Sequence, residues 1–144
     1  MPRVQNEAHN LIERFMVICN ETVAKHFDDL GVPFIYRVHE KPTPESVQNV
    51  LSFIEGLGVN SIAPPKKIDP TFYQRLLSLF ENTPEESVLN KVFLMSMKKA
   101  RYQEDDLGHF GLASENYCHF TSPIRRYPDL CIHRIIKELS LIHI

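Results

Sequence analysis

The sequence predicts an α+β fold that is mainly α-helical, with about five helices and a few short strands. Three observations carry this. Apolar residues recur at helical spacing in five separate windows. Four of those windows open on a capping residue followed by proline, at Thr43-Pro44, Asp69-Pro70, Thr83-Pro84 and Ser122-Pro123. Segments that alternate or turn irregular are short.

The elements follow in order. From Ala8 to Phe27, Ile12, Phe15, Met16, Cys19 and Val23 form one stripe with no proline to break it, and Asp28 to Val32 ends the helix. Phe34 to His39 alternates and favours β structure, so it reads as a strand. Thr43 then caps a second helix with Pro44 and Glu45 in its first turn, Val47, Val50, Leu51, Ile54 and Leu57 on its apolar face, and Gly58 closing it. Val59 to Ile68, with Pro64-Pro65 and Lys66-Lys67, reads as an exposed connector. Asp69-Pro70 opens a third helix bearing Phe72, Tyr73, Leu76, Leu77 and Phe80. Thr83 and Glu86 stand at capping-box spacing before a fourth, whose Val88, Leu89, Val92, Phe93, Met95 and Met97 cover more than one face and predict burial on several sides. Two extended segments are expected at Gly108 to Ala113 and Tyr117 to Thr121, joined by the Ser114 to Asn116 turn. The fifth helix is predicted from Ser122 as cap and Pro123 in the first turn, with Ile124, Tyr127, Leu130, Cys131, Ile135, Ile136 and Leu139 at helical spacing.

A chain of 144 residues with 43% hydrophobic content is one domain long and can supply a core. A formal charge of −2 excludes nucleic-acid binding by bulk electrostatics, so any such contact rests on a local cluster, and Arg125, Arg126, Arg134 and Lys137 form one. Cys19, Cys118 and Cys131 are odd in number and irregular in spacing, with no signal peptide before them, which fits a reducing cytoplasm. No apolar run approaches the roughly 20 residues needed to cross a bilayer. Internal repeats and low-complexity tracts are lacking.

The chemistry concentrates at His119 to Asp129. Two arginines near a helix start oppose its partial positive charge, where an anion is welcome instead. Guanidinium forks, free N–H groups and the hydroxyls of Thr121 and Ser122 together make a phosphate cradle. The plain alternative is that both arginines are solvated and the prolines only shape a turn. Zinc is also suggested, by Cys118-His119 and by Cys131 with His133. Residues two apart on a helix diverge, and neighbours on a strand face opposite ways, so neither pair converges on an ion and no metal site is assigned.

The run from His119 to Leu130, continuing to His133-Arg134, resembles the signature of the ribonuclease II and ribonuclease R family, the RNB catalytic domain. Upstream, Gly108 to Ala113 is similar to the family's glycine-rich segment, Met97 to Ala100 with Tyr102 to the helix end before it, Phe34 to Pro42 to its Arg-x-His-x-x-Pro segment, and Leu11 to Met16 to its Leu-Ile-Glu-Glu-Phe-Met helix. In that helix Glu13-Arg14 stands where the family has a Glu-Glu pair. The resemblance identifies residues 1–144 as the C-terminal part of an RNB domain whose aspartate-bearing part lies upstream.

That resemblance implies a 3′→5′ hydrolytic exoribonuclease that releases nucleoside 5′-monophosphates with Mg²⁺. It makes Arg125 the phosphate ligand at the cleaved bond, with fork geometry that Lys lacks. Arg126 is the lesser contact and can pair with Asp129 or with the upstream half instead. Tyr117, His119, Phe120 and Tyr127 are expected to line an RNA channel by stacking, a mode suited to single strands, although Phe120 and Tyr127 fit a core equally well. The metal-binding aspartates are not expected here, since Glu104-Asp105-Asp106, the only acidic run, reads as a solvated turn. The fragment is therefore expected to bind no Mg²⁺, to be inactive alone, to need the missing half of its own domain, and to self-associate through surface left bare. The other class compatible with the residues is a non-catalytic helical module that binds RNA or a protein.

Overall fold

The computed structural model describes residues 6–58, 65 and 67–142. The connector expected over residues 59–68 falls largely outside them. Among the described residues five α-helices and one two-stranded antiparallel sheet form, in agreement with a mainly helical α+β chain. They divide into two compact units. The first contains residues up to Val38, Arg101–His109 and the chain from Ser114 onward, and the second contains His39–Ala100 and Phe110–Ala113.

In the first unit, helix α1 (Glu7–Leu30) starts on Asn6, whose Oδ1 accepts the His9 N–H at 3.0 Å while the His9 ring accepts the Asn6 N–H. Gly31 ends it at φ 62°, donating its N–H to the Asp28 carbonyl. The helix buries Asn20, Ala24 and Phe27, whereas of the expected apolar stripe Cys19 and Val23 are only half-buried and Met16 is exposed. Ile12 and Phe15 stay more than half exposed. Strand β1 (Tyr36–Val38) pairs antiparallel with β2 (Arg101–Gln103), placing Arg37 opposite Tyr102. The final helix, α5 (Tyr127–Ile142), covers the core formed by Ala24, Phe27, Phe34, Tyr36, Val38, Cys118 and Ile132. Phe27 and Phe34 stack within it at 4.2 Å between ring centroids, and each large buried side chain contributes about 1.5–3 kcal/mol.

In the second unit, helix α2 (Pro44–Gly56) is capped by the Thr43 hydroxyl, which accepts the Ser46 N–H, and α3 (Pro70–Leu79) by the Asp69 carboxylate, which accepts the Phe72 N–H. With α4 (Glu86–Ser96) they enclose Val47, Val50, Leu51, Ile54, Tyr73, Leu76, Phe80, Leu89 and Phe93.

Several local expectations are corrected. The strand pairing with β1 is 101–103, whose mostly exposed side chains give no alternating signal. Phe110–Leu112 instead winds into a short 3-10 turn, and Tyr117–Thr121 is irregular, tied to β1 by the Arg37 N–H donating to the Tyr117 carbonyl at 2.8 Å. Thr83 does not cap α4. Its hydroxyl donates back to the Phe80 carbonyl, and the Glu86 carboxylate accepts the Asn82 N–H. That helix buries one face through Leu89 and Phe93, and leaves Val88, Leu94 and Met95 exposed. Finally, α5 begins at Tyr127, five residues after its expected cap at Ser122, because residues 122–126 form a separate turn.

Candidate functional site

The turn at residues 122–126 organises the cationic site. The Ser122 carbonyl accepts the N–H groups of Arg125 (3.3 Å) and Arg126 (3.1 Å), which folds the chain back before α5 starts. The Arg126 carbonyl accepts the Leu130 N–H, so Arg126 takes the capping position and both arginines lie ahead of the helix instead of inside its first turn.

The two arginines then part company. Arg126 donates from Nε and Nη2 to a single oxygen of Asp129, at 3.1 and 2.7 Å, and Asp129 is fully buried. The same oxygen accepts the Ser122 N–H at 2.8 Å. Arg125 is exposed, with one long contact of 3.4 Å from Nη2 to the Ser122 hydroxyl. Of the two expected cations, one is committed internally and the other is presented to solvent.

The segment leading into the turn is fixed from α1. Asn20, 3% exposed, accepts the N–H groups of Phe120 (3.0 Å) and Thr121 (3.2 Å) on Oδ1 and donates from Nδ2 to the Tyr117 hydroxyl at 3.0 Å. Its carbonyl accepts the Cys118 thiol, which burial pushes up to about 12 and so keeps protonated and unreactive.

The expected stacking residues are not equivalent. Tyr117 is buried (7% exposed), its ring edge-on to His109 and His119, and burial raises its hydroxyl above the ordinary range. Phe120 is half-buried and stacked on His133 at 4.1 Å, and the His133 Nε2 lies 3.1 Å from the Phe120 carbonyl. Tyr127 is 69% exposed in the first turn of α5. His119 is half-buried with Nδ1 2.7 Å from the Tyr102 hydroxyl, and the Arg37 guanidinium lies 4.6 Å over the Tyr102 ring. Burial, reinforced by Arg126, Arg37 and Arg125 nearby, pulls the His119 pKa down to about 4, so the ring is neutral near pH 7.

Other motif residues have structural work. His39, the histidine of the Arg-x-His-x-x-Pro segment, accepts the Phe110 N–H on its carbonyl and the Gly111 N–H on Nδ1. In the acidic run, the Asp106 carboxylate accepts the Gly108 N–H and an Asn116 amide proton. Among the described residues, no three of His, Cys, Asp and Glu converge in a way that would hold a metal ion.

Asn20 and Tyr102 are the contributors that sequence reasoning missed. Asn20 was visible as a polar residue four positions from Met16 and from Ala24, inside the apolar face of α1. Tyr102 lay in a segment with no periodic pattern.

The family model of the RNB domain matches residues 1–141. This chain belongs to the RNB domain family. Ribonuclease R of Aquifex aeolicus is 47% identical over 137 residues, which cover 95% of this chain and 19% of that protein. Ribonuclease R of Mycoplasma genitalium in its apo form superposes with a TM-score of 0.86 at 32% identity, covering 93% of this RNB chain and 21% of that one. The same Mycoplasma protein matches in its complexes with ribose-methylated single-stranded RNA and with double-stranded RNA. Yeast Ssd1, a pseudonuclease, shares the fold with a TM-score of 0.75 at 24% identity. The RNB chain thus spans about a fifth of the length of the ribonuclease R relatives it matches.

Proposed function

We propose that this chain is the phosphate-holding part of a 3′→5′ hydrolytic exoribonuclease that degrades RNA to nucleoside 5′-monophosphates. The observation that carries the reading is the division of labour at the turn: Asp129 consumes Arg126 and locks the backbone, and the Arg125 fork is left to solvent on a fixed base. A guanidinium so placed donates two parallel hydrogen bonds to phosphate oxygens and opposes the charge that grows on them during hydrolysis. Thr121 and Ser122 supply nearby hydroxyls, and Arg126 acts through the turn. The open ring of Tyr127 stacks a base, whereas Tyr117 serves as the hydrogen-bond partner of Asn20 and Phe120 backs His133. His119, neutral and oriented by Tyr102, lines the channel without adding charge.

The residues described here do not fit a Mg²⁺ site. In this reading the metal is held by aspartates of the missing upstream half of the domain, and the chain alone is inactive. The Mycoplasma genitalium ribonuclease R structures in complex with ribose-methylated single-stranded RNA and with double-stranded RNA support RNA as the partner. A cytoplasmic setting belongs to the same reading, since all three cysteines are free and no helix among the described residues is long and apolar enough to cross a membrane.

The test is Arg125→Lys in the full-length protein carrying this chain. Charge is kept and the fork is lost, so single-turnover release of mononucleotides slows about 10- to 100-fold with folding intact. An unchanged rate removes Arg125 from the phosphate. RNA binding by the full-length wild type without any cleavage would select the second reading, a non-catalytic RNA- or protein-binding module, for which the exposed apolar residues Leu11, Ile12 and Phe15 of α1 offer a surface.

A further inference from the structure

The exposed Arg125 fork is useful only if its backbone is held still, and the side chain itself has a single long contact at 3.4 Å. Its position is therefore inherited from Ser122, and Ser122 from whatever fixes the segment before it. On one side Asp129 grips the Ser122 N–H. On the other, the two preceding N–H groups, of Phe120 and Thr121, both end on the side chain of Asn20, 100 and 101 residues earlier in the chain.

We propose that Asn20 is a positioning residue for Arg125, fixing from α1 the backbone of residues 117–121 and with it the point where the Arg125 turn departs. The inference rests on Arg125 acting as the phosphate ligand. Four hydrogen bonds join this one residue to that five-residue segment: two into Oδ1, one out of Nδ2 to the Tyr117 hydroxyl, and one from the Cys118 thiol to its carbonyl. The amide orientation is unambiguous, because backbone N–H groups only donate and must face the oxygen. The site is dry, with Asn20 3% and Cys118 0% exposed, so water does not take over these bonds cheaply. The anchor is also stiff, since one helical turn onward Ala24 and then Phe27 are buried in the core.

The side-chain chemistry is specific. The amide is short enough to meet the backbone and combines an acceptor for two N–H groups with a donor for the hydroxyl. Aspartate preserves the acceptor, and the Tyr117 hydroxyl can turn to donate to it. Alanine removes every side-chain bond and leaves the part-buried N–H groups of Phe120 and Thr121 without that acceptor.

The experiment uses the full-length protein carrying this chain, with a 5′-labelled single-stranded oligoribonucleotide. Asn20→Ala lowers the single-turnover rate constant about 10-fold or more, as small displacements of a catalytic group do, and leaves RNA affinity within about threefold. Asn20→Asp restores the rate to within about threefold of wild type. In combination with Arg125→Lys, Asn20→Ala adds less than about a further twofold, because the group it positions is already lost. Should Asn20→Ala fail to fold, Asn20→Ser takes its place, with a hydroxyl too short to span both N–H groups. Multiplicative effects in the double variant, or a wild-type rate in a folded Asn20→Ala or Asn20→Ser protein, overturn the proposal. If Arg125→Lys slows the reaction while the Asn20 variants do not, only the positioning role falls. If Arg125→Lys leaves the rate unchanged, the phosphate role falls and takes the positioning role with it.

Discussion

Adjacent arginines of the same type have opposite duties here because one oxygen of a buried carboxylate lies beside one of them. Removing Arg126 strands Asp129, which has no access to water, whereas removing Arg125 costs one long contact on the surface. Arg126→Met is expected to lower unfolding free energy by about 2–4 kcal/mol, and Arg125→Met to stay within about 0.5 kcal/mol, as read from urea denaturation of the same protein. Equal losses would contradict the division of labour. His119 gives a second residue-scale expectation. Its folded pKa of about 4 lies below the ordinary value of 6.5, so between those values the unfolded chain binds the extra proton. Stability therefore falls as pH drops from 6.5 toward 4. His119→Asn removes that contribution, and the gap between the two stability–pH curves narrows across this window. Parallel curves would show that His119 titrates normally.

At the scale of elements, turns decide where the site's backbone runs. Gly108 sits at φ 72°, and a Cβ there would meet the Ser114 carbonyl oxygen at 3.1 Å and that of Glu115 at 3.2 Å. Gly31, which closes α1 at φ 62°, has open space around it. Gly108→Ala is thus expected to cost about 2 kcal/mol or more and Gly31→Ala only about 1 kcal/mol, the difference being the backbone clash. Thermal unfolding of the two variants checks the order. The expected start of α5 failed for a related reason. Ser122-Pro123 is a good opening pair, but Asp129 draws the Ser122 N–H and Arg126 toward itself, and the chain spends those residues on a turn before the helix can propagate. Thr43 and Asp69, with no such competitor, cap their helices as the local sequence predicts.

For the whole molecule, the first half of α1 carries Leu11, Ile12, Phe15 and Ile18, each 54–60% exposed. Apolar surface of this kind on one helix drives association, so the 144-residue chain is expected to form dimers or larger species by light scattering, and Phe15→Glu with Ile12→Lys to return it toward monomer. A monodisperse monomer for the unsubstituted chain would contradict this. Sequence alone determined the helix count, the caps at Thr43 and Asp69, a short strand within Phe34 to His39 and the signature segment that carries the family, because periodicity, capping and motif identity are written in neighbouring residues. Tertiary structure decided the rest: that β1 pairs with Arg101–Gln103, that Arg126 belongs to Asp129, that Tyr117 is buried, and that Asn20 holds the segment ahead of Arg125. Each of these depends on which distant groups meet in the absence of water, and a hydrogen bond spanning 100 residues leaves no trace in local spacing.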